Sequence, residues 1–205
     1  MPSGLAVVGV ASAVGFALLA QHVVSGAADV FDRSLTDTIH VHISYPLRVA
    51  LLWFSRFGRG DVMSVATIAA VIVCLRRRQH RLALVWVLVM SGGYVLTELL
   101  KALVGRARPL QAEAFLTADD SFPSGHTSMT LVLVGFALHL FLQRERPSST
   151  RWAAIVGAAA WCGLMGASRL LLGDHYWSDV LGGYLLGIAW LAGGIYCGSQ
   201  VLGTR

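Results

Sequence analysis

Long apolar runs alternate with short polar segments along most of the chain. A helix needs about 20 apolar residues to cross a bilayer, and most of these runs approach that length. They predict six transmembrane helices, at residues 5–24, 61–75, 82–103, 124–142, 152–172 and 176–198. The pattern therefore predicts an all-α fold, an integral membrane bundle.

The first run, residues 5–24, has two interpretations. Small residues follow it at Ser25, Gly26 and Ala27, which is typical of a cleavable signal peptide, but no positive charge precedes it. We therefore expect residues 5–24 to remain in place as the first span.

The segment that leads into the second span, residues 47–60, mixes aromatic residues with arginines. On a helical wheel, Arg48, Arg56 and Arg59 gather on one side. This arrangement predicts an amphipathic helix at the membrane interface, between the first and second spans.

The polar segment before it, residues 28–45, contains two closely spaced histidines, His40 and His42. They could hold a metal only if further ligands converged with them. We interpret both histidines as loop residues.

Composition supports a membrane protein of one domain, residues 1–205. Hydrophobic residues make up 56% of the chain and charged residues 13%, well below the charged share of an ordinary soluble domain. The net charge of +5 indicates loop topology and an anionic ligand. Because no basic stripe with interleaved aromatic residues accompanies that charge, we expect no nucleic-acid partner.

Ionisable residues cluster at particular ends of the predicted spans. Consecutive spans alternate in direction, so the ends of odd spans and the starts of even spans lie at one membrane face. The residues at those positions are Lys101, Arg108, His126, Arg169, His175 and Asp179. The sequence therefore predicts a single site with an excess of positive charge, which favours an anion.

The segment around His175 carries the reactive groups. If the chain is helical from Tyr176 onward, Asp179 shares a face with His175 and holds one ring nitrogen, which leaves the other free to attack. Taken alone, the pair is equally typical of an interfacial ion pair. The amides of Ser124 and Gly125, at the start of the fourth span, are expected to cradle phosphate oxygens.

These residues form three motifs in order: Lys101 with Arg108-Pro109, then 123–126 (Pro-Ser-Gly-His), then Ser168-Arg169 with His175 and Asp179. In this the sequence resembles the type-2 phosphatidic acid phosphatase superfamily, which includes membrane lipid phosphatases, glucose-6-phosphatase and vanadium haloperoxidases.

The resemblance implies a role for each motif residue. His175 is expected to attack phosphorus and form a phosphohistidine, Asp179 to orient His175, and His126 to protonate the leaving oxygen and then activate water. The phosphoryl group would be held by Lys101, Arg108, Ser124, Gly125 and Arg169. No metal and no cofactor is expected.

Glu98 lies one helical turn before Lys101 and has two interpretations. It either pairs with the lysine or stands near the substrate and repels additional negative charge. We favour the pairing, because adjacent opposite charges near a membrane face usually neutralise each other.

Basic loops indicate the orientation in the cell membrane. Arginines concentrate in the loops after the second and fourth spans, 76–81 and 144–151, and such loops are usually cytoplasmic. Both termini are then expected in the cytoplasm, with the site facing the periplasm or the cell exterior.

The expected function is hydrolysis of a lipid phosphate or an isoprenoid pyrophosphate, with membrane lipids as the surroundings of the site. Phosphatidylglycerol phosphate and phosphatidic acid are further candidate substrates. Two alternatives remain open: a phosphotransferase on the same fold, and a transporter of anions or lipids.

Overall fold

The structure is a computed structural model that describes residues 2–40, 43–109 and 120–203. Every regular element in those ranges is helical. The helices are α1 (Pro2–Val24), α2 (Asp29–His40), α3 (Tyr45–Ser55), α4 (Gly60–Arg76), α5 (His80–Val104), α6 (Gly125–Leu142), α7 (Ser148–Leu171) and α8 (Trp177–Leu202), with a short 3-10 turn, Arg56–Gly58, between α3 and α4.

The predicted membrane bundle is confirmed. Five helices, α1 and α5 to α8, are each long and apolar enough to cross a membrane, and α3 with α4 forms a sixth unit bent by 46°. The predicted interfacial segment corresponds to α3 and the turn after it, and α4 has only 17 residues. The chain is a multi-pass membrane protein.

The polar segment before α3 differs from the prediction. It was expected to be a loop, but it forms the 12-residue helix α2, which ends at His40. The helix buries Asp32 and Thr36, whereas Val30 and Phe31 are exposed, so its inward face is polar and its apolar residues face outward. His42 lies outside the described residues.

Helix α8 is the centre of the bundle. It lies antiparallel to α1, and small residues bring it close to α6: a Cβ added to Gly183 would meet the carbonyl oxygen of Ser124 at 2.7 Å. On the side of α5, the indole of Trp190 donates a hydrogen bond to the carbonyl of Val89 at 2.7 Å. These contacts fix the start of α8 beside the start of α6.

Aromatic packing attaches α3 and the 3-10 turn to α7. The ring of Trp161 lies 5.0 Å from that of Phe54 and 5.5 Å from that of Phe57, both edge-on. Such pairs stabilise by about 1 kcal/mol beyond their buried area. They place Gly58, at the end of the turn, against the polar end of α6.

Candidate active site

The predicted site residues come together at one end of the bundle. Lys101 lies near the end of α5, Arg108 in the chain after it, His126 in the first turn of α6, and His175 in the segment between α7 and α8. All four line one cavity of about 750 Å³. The convergence that span parity predicts is therefore present.

Lys101 is 6% exposed, and its Nζ lies 3.5 Å from Oε1 of Glu98. Glu98 also lines the cavity, so the predicted pairing places a carboxylate beside a cation of the site.

The start of α6 differs from the prediction in one respect. The amide of Ser124 was expected to face a phosphate, but it donates to the carbonyl oxygen of Asp179 at 3.0 Å, so that expectation is wrong. This bond joins the second motif to the third. The amides of Gly125 and His126 remain first-turn donors that a helix leaves without intrahelical acceptors, and Gly125 lines the cavity.

Gly58 shapes the position of His126. A Cβ added to Gly58 would lie 2.7 Å from Cδ2 of His126 and 2.8 Å from Sδ of Met165. The 3-10 turn therefore approaches the imidazole as closely as only glycine allows. Sequence patterns did not identify this residue, because its importance depends on a contact between distant segments.

His175 reaches the site through a tight turn after α7. Gly173 has a φ of 72°, a left-handed conformation that glycine adopts readily, and the amides of Asp174 and His175 both donate to the carbonyl of Arg169. The turn points the imidazole at the ends of the other helices, where it is 1% exposed.

The His175–Asp179 pair is present with a geometry different from the one expected. The helix begins at Trp177, so His175 precedes it, and Oδ2 of Asp179 accepts the amide of Tyr176 at 2.8 Å. Nδ1 of His175 lies 3.4 Å from the same oxygen and makes no aligned hydrogen bond within the described ranges. Catalytic hydrogen bonds are often loose before substrate binds.

Nε2 of His175, the ring nitrogen that points away from Asp179, lies beside a cation. Nη1 of Arg108 lies 3.2 Å from Nε2 of His175 and 3.1 Å from the carbonyl oxygen of Asp174. Burial, followed by the positive charges of Arg108, Arg169 and Lys101, holds the pKa of His175 well below its ordinary value. The imidazole is consequently neutral near pH 7 and carries an available lone pair.

Arg169 has a partner that the sequence interpretation missed. Its Nη2 forms an ion pair with Oδ2 of Asp174, and both side chains are buried. Asp179 is the carboxylate that the sequence analysis placed beside His175, and Asp174 is a second one that it did not include. Its position directly before His175 was the available signal.

Arg106 was missed as well. It donates to Oδ1 of Asp179 at 2.8 Å and to Oδ2 of Asp32, on α2, at 2.8 Å. The only signal was its place two residues before Arg108 within the first motif.

The donor set of the site suits an anion. Among the described residues, no group of three or more His, Cys, Asp or Glu side chains is arranged to hold a metal ion. The acids nearest His175 are Asp174 and Asp179, and each forms an ion pair with an arginine. Positive charge is thus supplied by side chains.

The cavity continues from the polar residues into the membrane-spanning region. Its deeper wall is formed by α4 and α5, with Ile68, Val71, Val87 and Met90 among the lining residues. Ser64 and Thr67 lie between the apolar part and the cations. The shape is that of a slot with a charged end and an apolar end.

Known proteins are similar to this chain in sequence, and a solved structure is similar to it in fold. Phosphatidylglycerophosphatase B of Bacillus subtilis is 36% identical over 107 residues, which are 51% of this chain and 52% of that protein. Lipid A 1-phosphatase of Rhizobium johnstonii is 34% identical over 119 residues, 53% of this chain and 43% of that protein. The chain thus spans about half the length of the curated relatives it matches.

A solved structure matches nearly the whole chain. It is the crystal structure of a transmembrane PAP2 type phosphatidylglycerolphosphate phosphatase from Bacillus subtilis, with a TM-score of 0.81, 23% identity and coverage of 96% of this chain and 98% of that one. A sequence model of the PAP2 superfamily matches residues 81–201, which contain all three motifs. Because that match covers more than half of the chain, the protein belongs to the PAP2 superfamily.

Proposed function

We propose that the protein is a membrane phosphatase that hydrolyses a lipid phosphate or an isoprenoid pyrophosphate. One observation carries the proposal: the neutral imidazole of His175 faces buried cations at the charged end of a slot whose other end is apolar. The two curated relatives are named for phosphatase activity on lipids, which supports the same class of substrate.

The reaction begins with attack by Nε2 of His175 on phosphorus. The bond from phosphorus to the leaving oxygen breaks as the phosphohistidine forms, and His126, which enters this step as an imidazolium, gives its proton to that oxygen. His126 then takes a proton from water and the resulting hydroxide attacks phosphorus. The bond from phosphorus to Nε2 breaks, so inorganic phosphate leaves and His175 is regenerated. Asp179 stabilises the positive charge that the His175 ring gains, in the manner of an orienting carboxylate.

The cations and the α6 amides hold the transferring group. Lys101, Arg108 and Arg169 surround the place where negative charge is spread over the phosphoryl oxygens, and the amide of Gly125 points outward from the helix start. Side chains supply this charge, so the proposed mechanism needs no metal. Glu98 pairs with Lys101 and moderates the positive charge beside the phosphoryl group.

The slot between α4 and α5 accommodates the lipid tail. Apolar side chains such as Val71 and Met90 line its deeper part, so a hydrocarbon tail can lie there in apolar surroundings. Isoprenoid pyrophosphates, phosphatidylglycerol phosphate and phosphatidic acid all combine such a tail with a phosphate.

We further propose that the site faces the periplasm or the cell exterior. Arg81 donates to the carbonyl of Val201, so the α4–α5 turn and the end of α8 lie at the same membrane face. Because α1 lies antiparallel to α8, its start is at that face as well. Arginines concentrate there and in the α6–α7 loop, as in cytoplasmic segments.

A phosphate-release assay tests the proposal. Purified protein in detergent is given a panel of lipid phosphates and pyrophosphates, with and without EDTA, beside His175→Ala and Asp179→Asn. We expect free phosphate that persists in EDTA, no turnover with His175→Ala, and a loss of about 10³- to 10⁴-fold with Asp179→Asn. Phosphate that appears only on an added acceptor would favour a phosphotransferase, and absence of turnover would favour a transporter.

A further inference from the structure

Arg106 joins three segments at the edge of the site. Its side chain is 10% exposed, its Nη1 donates to Oδ1 of Asp179 at 2.8 Å and to the hydroxyl of Ser178 at 2.6 Å, and its Nη2 donates to Asp32 at 2.8 Å. The guanidinium also stacks 4.4 Å from the centre of the Tyr176 ring. Rotation of the Arg106 side chain would therefore break at least one of these contacts.

Asp32 holds the start of α8 from a different helix. Its Oδ1 accepts the amide of Ser178 at 3.1 Å, its Oδ2 accepts the hydroxyl of the same residue, and it is 1% exposed. A carboxylate that accepts a first-turn amide is a favourable helix cap. Asp32 thus fixes the turn of α8 that contains Asp179.

Each oxygen of Asp179 has a separate task. Oδ2 accepts the amide of Tyr176 and faces Nδ1 of His175, whereas Oδ1 is held by Arg106. A buried carboxylate is strongly destabilising unless it is paired, and the guanidinium of Arg106 supplies that pairing. Two held oxygens also fix the plane of the carboxylate against the imidazole.

Asp32 balances the charge of Arg106. The guanidinium is shared between Asp179 and Asp32, with Asp29 at 3.2 Å as a more exposed third partner. Burial lowers the pKa of Arg106, but the carboxylates Asp179 and Asp32 raise it by a larger amount, so the pKa lies above its ordinary value. Because Arg106 divides its positive charge between two carboxylates, it neutralises Asp179 only in part. The remaining negative charge of Asp179 acts on the ring of His175.

We propose that Arg106 and Asp32 are positioning residues that act on the reaction through Asp179, so that α2 is part of the catalytic assembly. This inference rests on the proposed mechanism, in which Asp179 orients His175. Neither residue is among those that line the cavity. Their effect is to pair one carboxylate and aim it at one nitrogen.

A purely structural clamp between α2 and α8 would make different predictions. It would lower the amount of folded protein and reduce activity by the same factor whether or not residue 179 carries a charge. A group that acts through Asp179 has its effect only while the carboxylate is present. A double-mutant cycle separates these cases.

The experiment measures phosphate release from phosphatidic acid in detergent micelles by the purified full chain. We expect Arg106→Met and Asp32→Asn each to lower kcat by about 10- to 100-fold, as substitution of groups that orient a reactive residue commonly does, with little change in KM. Arg106→Lys should restore part of the loss. Asp37→Asn, the same exchange at an exposed position of α2, is the matched control.

The decisive comparison is made in the Asp179→Asn background. There, Arg106→Met and Asp32→Asn are expected to cause no further loss of kcat. Equal losses in both backgrounds, or a change confined to KM, would overturn the proposal. Because Arg106→Met removes a buried charge and can impair folding, Asp32→Asn provides an independent cycle. Phosphate release that survives His175→Ala would instead overturn the proposed mechanism.

Discussion

The guanidinium of Arg108 lies 3.2 Å from Nε2 of His175, and this contact defines the tautomer of the ring. Guanidinium groups only donate hydrogen bonds, so Nε2 accepts and the proton resides on Nδ1, which faces Asp179. The lone pair of Nε2, which attacks phosphorus in the proposed mechanism, thus accepts a hydrogen bond from Arg108. We expect an arriving phosphoryl group to take over the Arg108 donors, which exposes the lone pair to phosphorus.

The first prediction concerns the acidic limb of the pH profile. Attack requires neutral His175, whose pKa burial and the neighbouring cations hold well below its ordinary value. The limb of kcat/KM that reports His175 therefore lies well below the ordinary histidine range. Arg108→Gln removes a positive charge and raises that pKa, so the limb should move to higher pH.

This prediction is measured with one lipid substrate for all variants, so that ionisation of the substrate is common to every profile. Arg77→Gln, the same exchange at the opposite end of the bundle, is the control and should leave the limb in place. An unmoved limb in Arg108→Gln, or a shift to lower pH, would contradict the assignment.

The second prediction separates the two histidines. His126→Ala lacks the proton donor for a poor leaving group, so turnover of a lipid phosphate should fall by about 10²- to 10⁴-fold. A nitrophenyl phosphate needs no such donor, and it should give a burst of one nitrophenol per site followed by slow turnover. The trapped enzyme should carry phosphate that is labile to acid and stable to alkali.

The control for the burst is the double variant His126→Ala with His175→Ala, which should release no nitrophenol. A burst that persists in the double variant would mean that another side chain attacks phosphorus.

Much of the bundle and the site could be predicted because both depend on local patterns. A transmembrane span can be recognised from the length of its apolar run. The motif residues lie near the ends of these spans, and because consecutive spans alternate in direction, Lys101, His126 and His175 are predicted at one membrane face. Helix α2 was not predicted, because the segment is short and polar, a composition that is typical of a loop. The structure shows that two of its polar residues, Asp32 and Thr36, are buried.

The missed residues act through contacts between distant segments. Asp32 and Asp179 share Arg106 across long sequence separations, and nothing in the composition around them indicates the partner. The amide of Ser124 was misassigned for a similar reason: its acceptor, the carbonyl of Asp179, belongs to the backbone, which carries no sequence signature.

The third prediction tests the tail slot. Thr67 lines the cavity between its charged and apolar parts, and Thr67→Trp should obstruct the path of a tail while leaving the cations in place. We expect KM for a long-chain lipid phosphate to rise about 10-fold or more, because overlap between the indole and the bound tail costs about 1–3 kcal/mol. Turnover of nitrophenyl phosphate should be unchanged.

The matched control is Val65→Trp, two residues away on α4, where the side chain is 67% exposed and faces away from the slot. It should leave both substrates unaffected. A Thr67→Trp enzyme with normal KM for the lipid would exclude the α4–α5 slot as the tail site.

The fourth prediction concerns orientation. With native cysteines replaced, Ser148→Cys at the start of α7 should resist a membrane-impermeant thiol reagent in intact cells and react after permeabilisation. Val30→Cys on α2, 83% exposed and near the site, should react in intact cells. The reverse pattern would place the site in the cytoplasm.

The fifth prediction tests the contact between Gly58 and His126. An alanine at position 58 would overlap Cδ2 of His126 at 2.7 Å and Sδ of Met165 at 2.8 Å, and a general acid displaced by a fraction of an ångström loses much of its efficiency. We expect Gly58→Ala to lower kcat for a lipid phosphate by about 10- to 100-fold.

The choice of substrate distinguishes a displaced His126 from a generally damaged fold. Formation of the phosphohistidine from nitrophenyl phosphate does not need His126, so the burst with Gly58→Ala should keep the wild-type rate while the later steady state slows. Gly163→Ala on α7, where a Cβ meets nothing within 4 Å, should behave as wild type in both phases. If Gly58→Ala slows the burst and the steady state equally, the turn affects His175 or the fold as a whole, and its specific action on the proton donor is refuted.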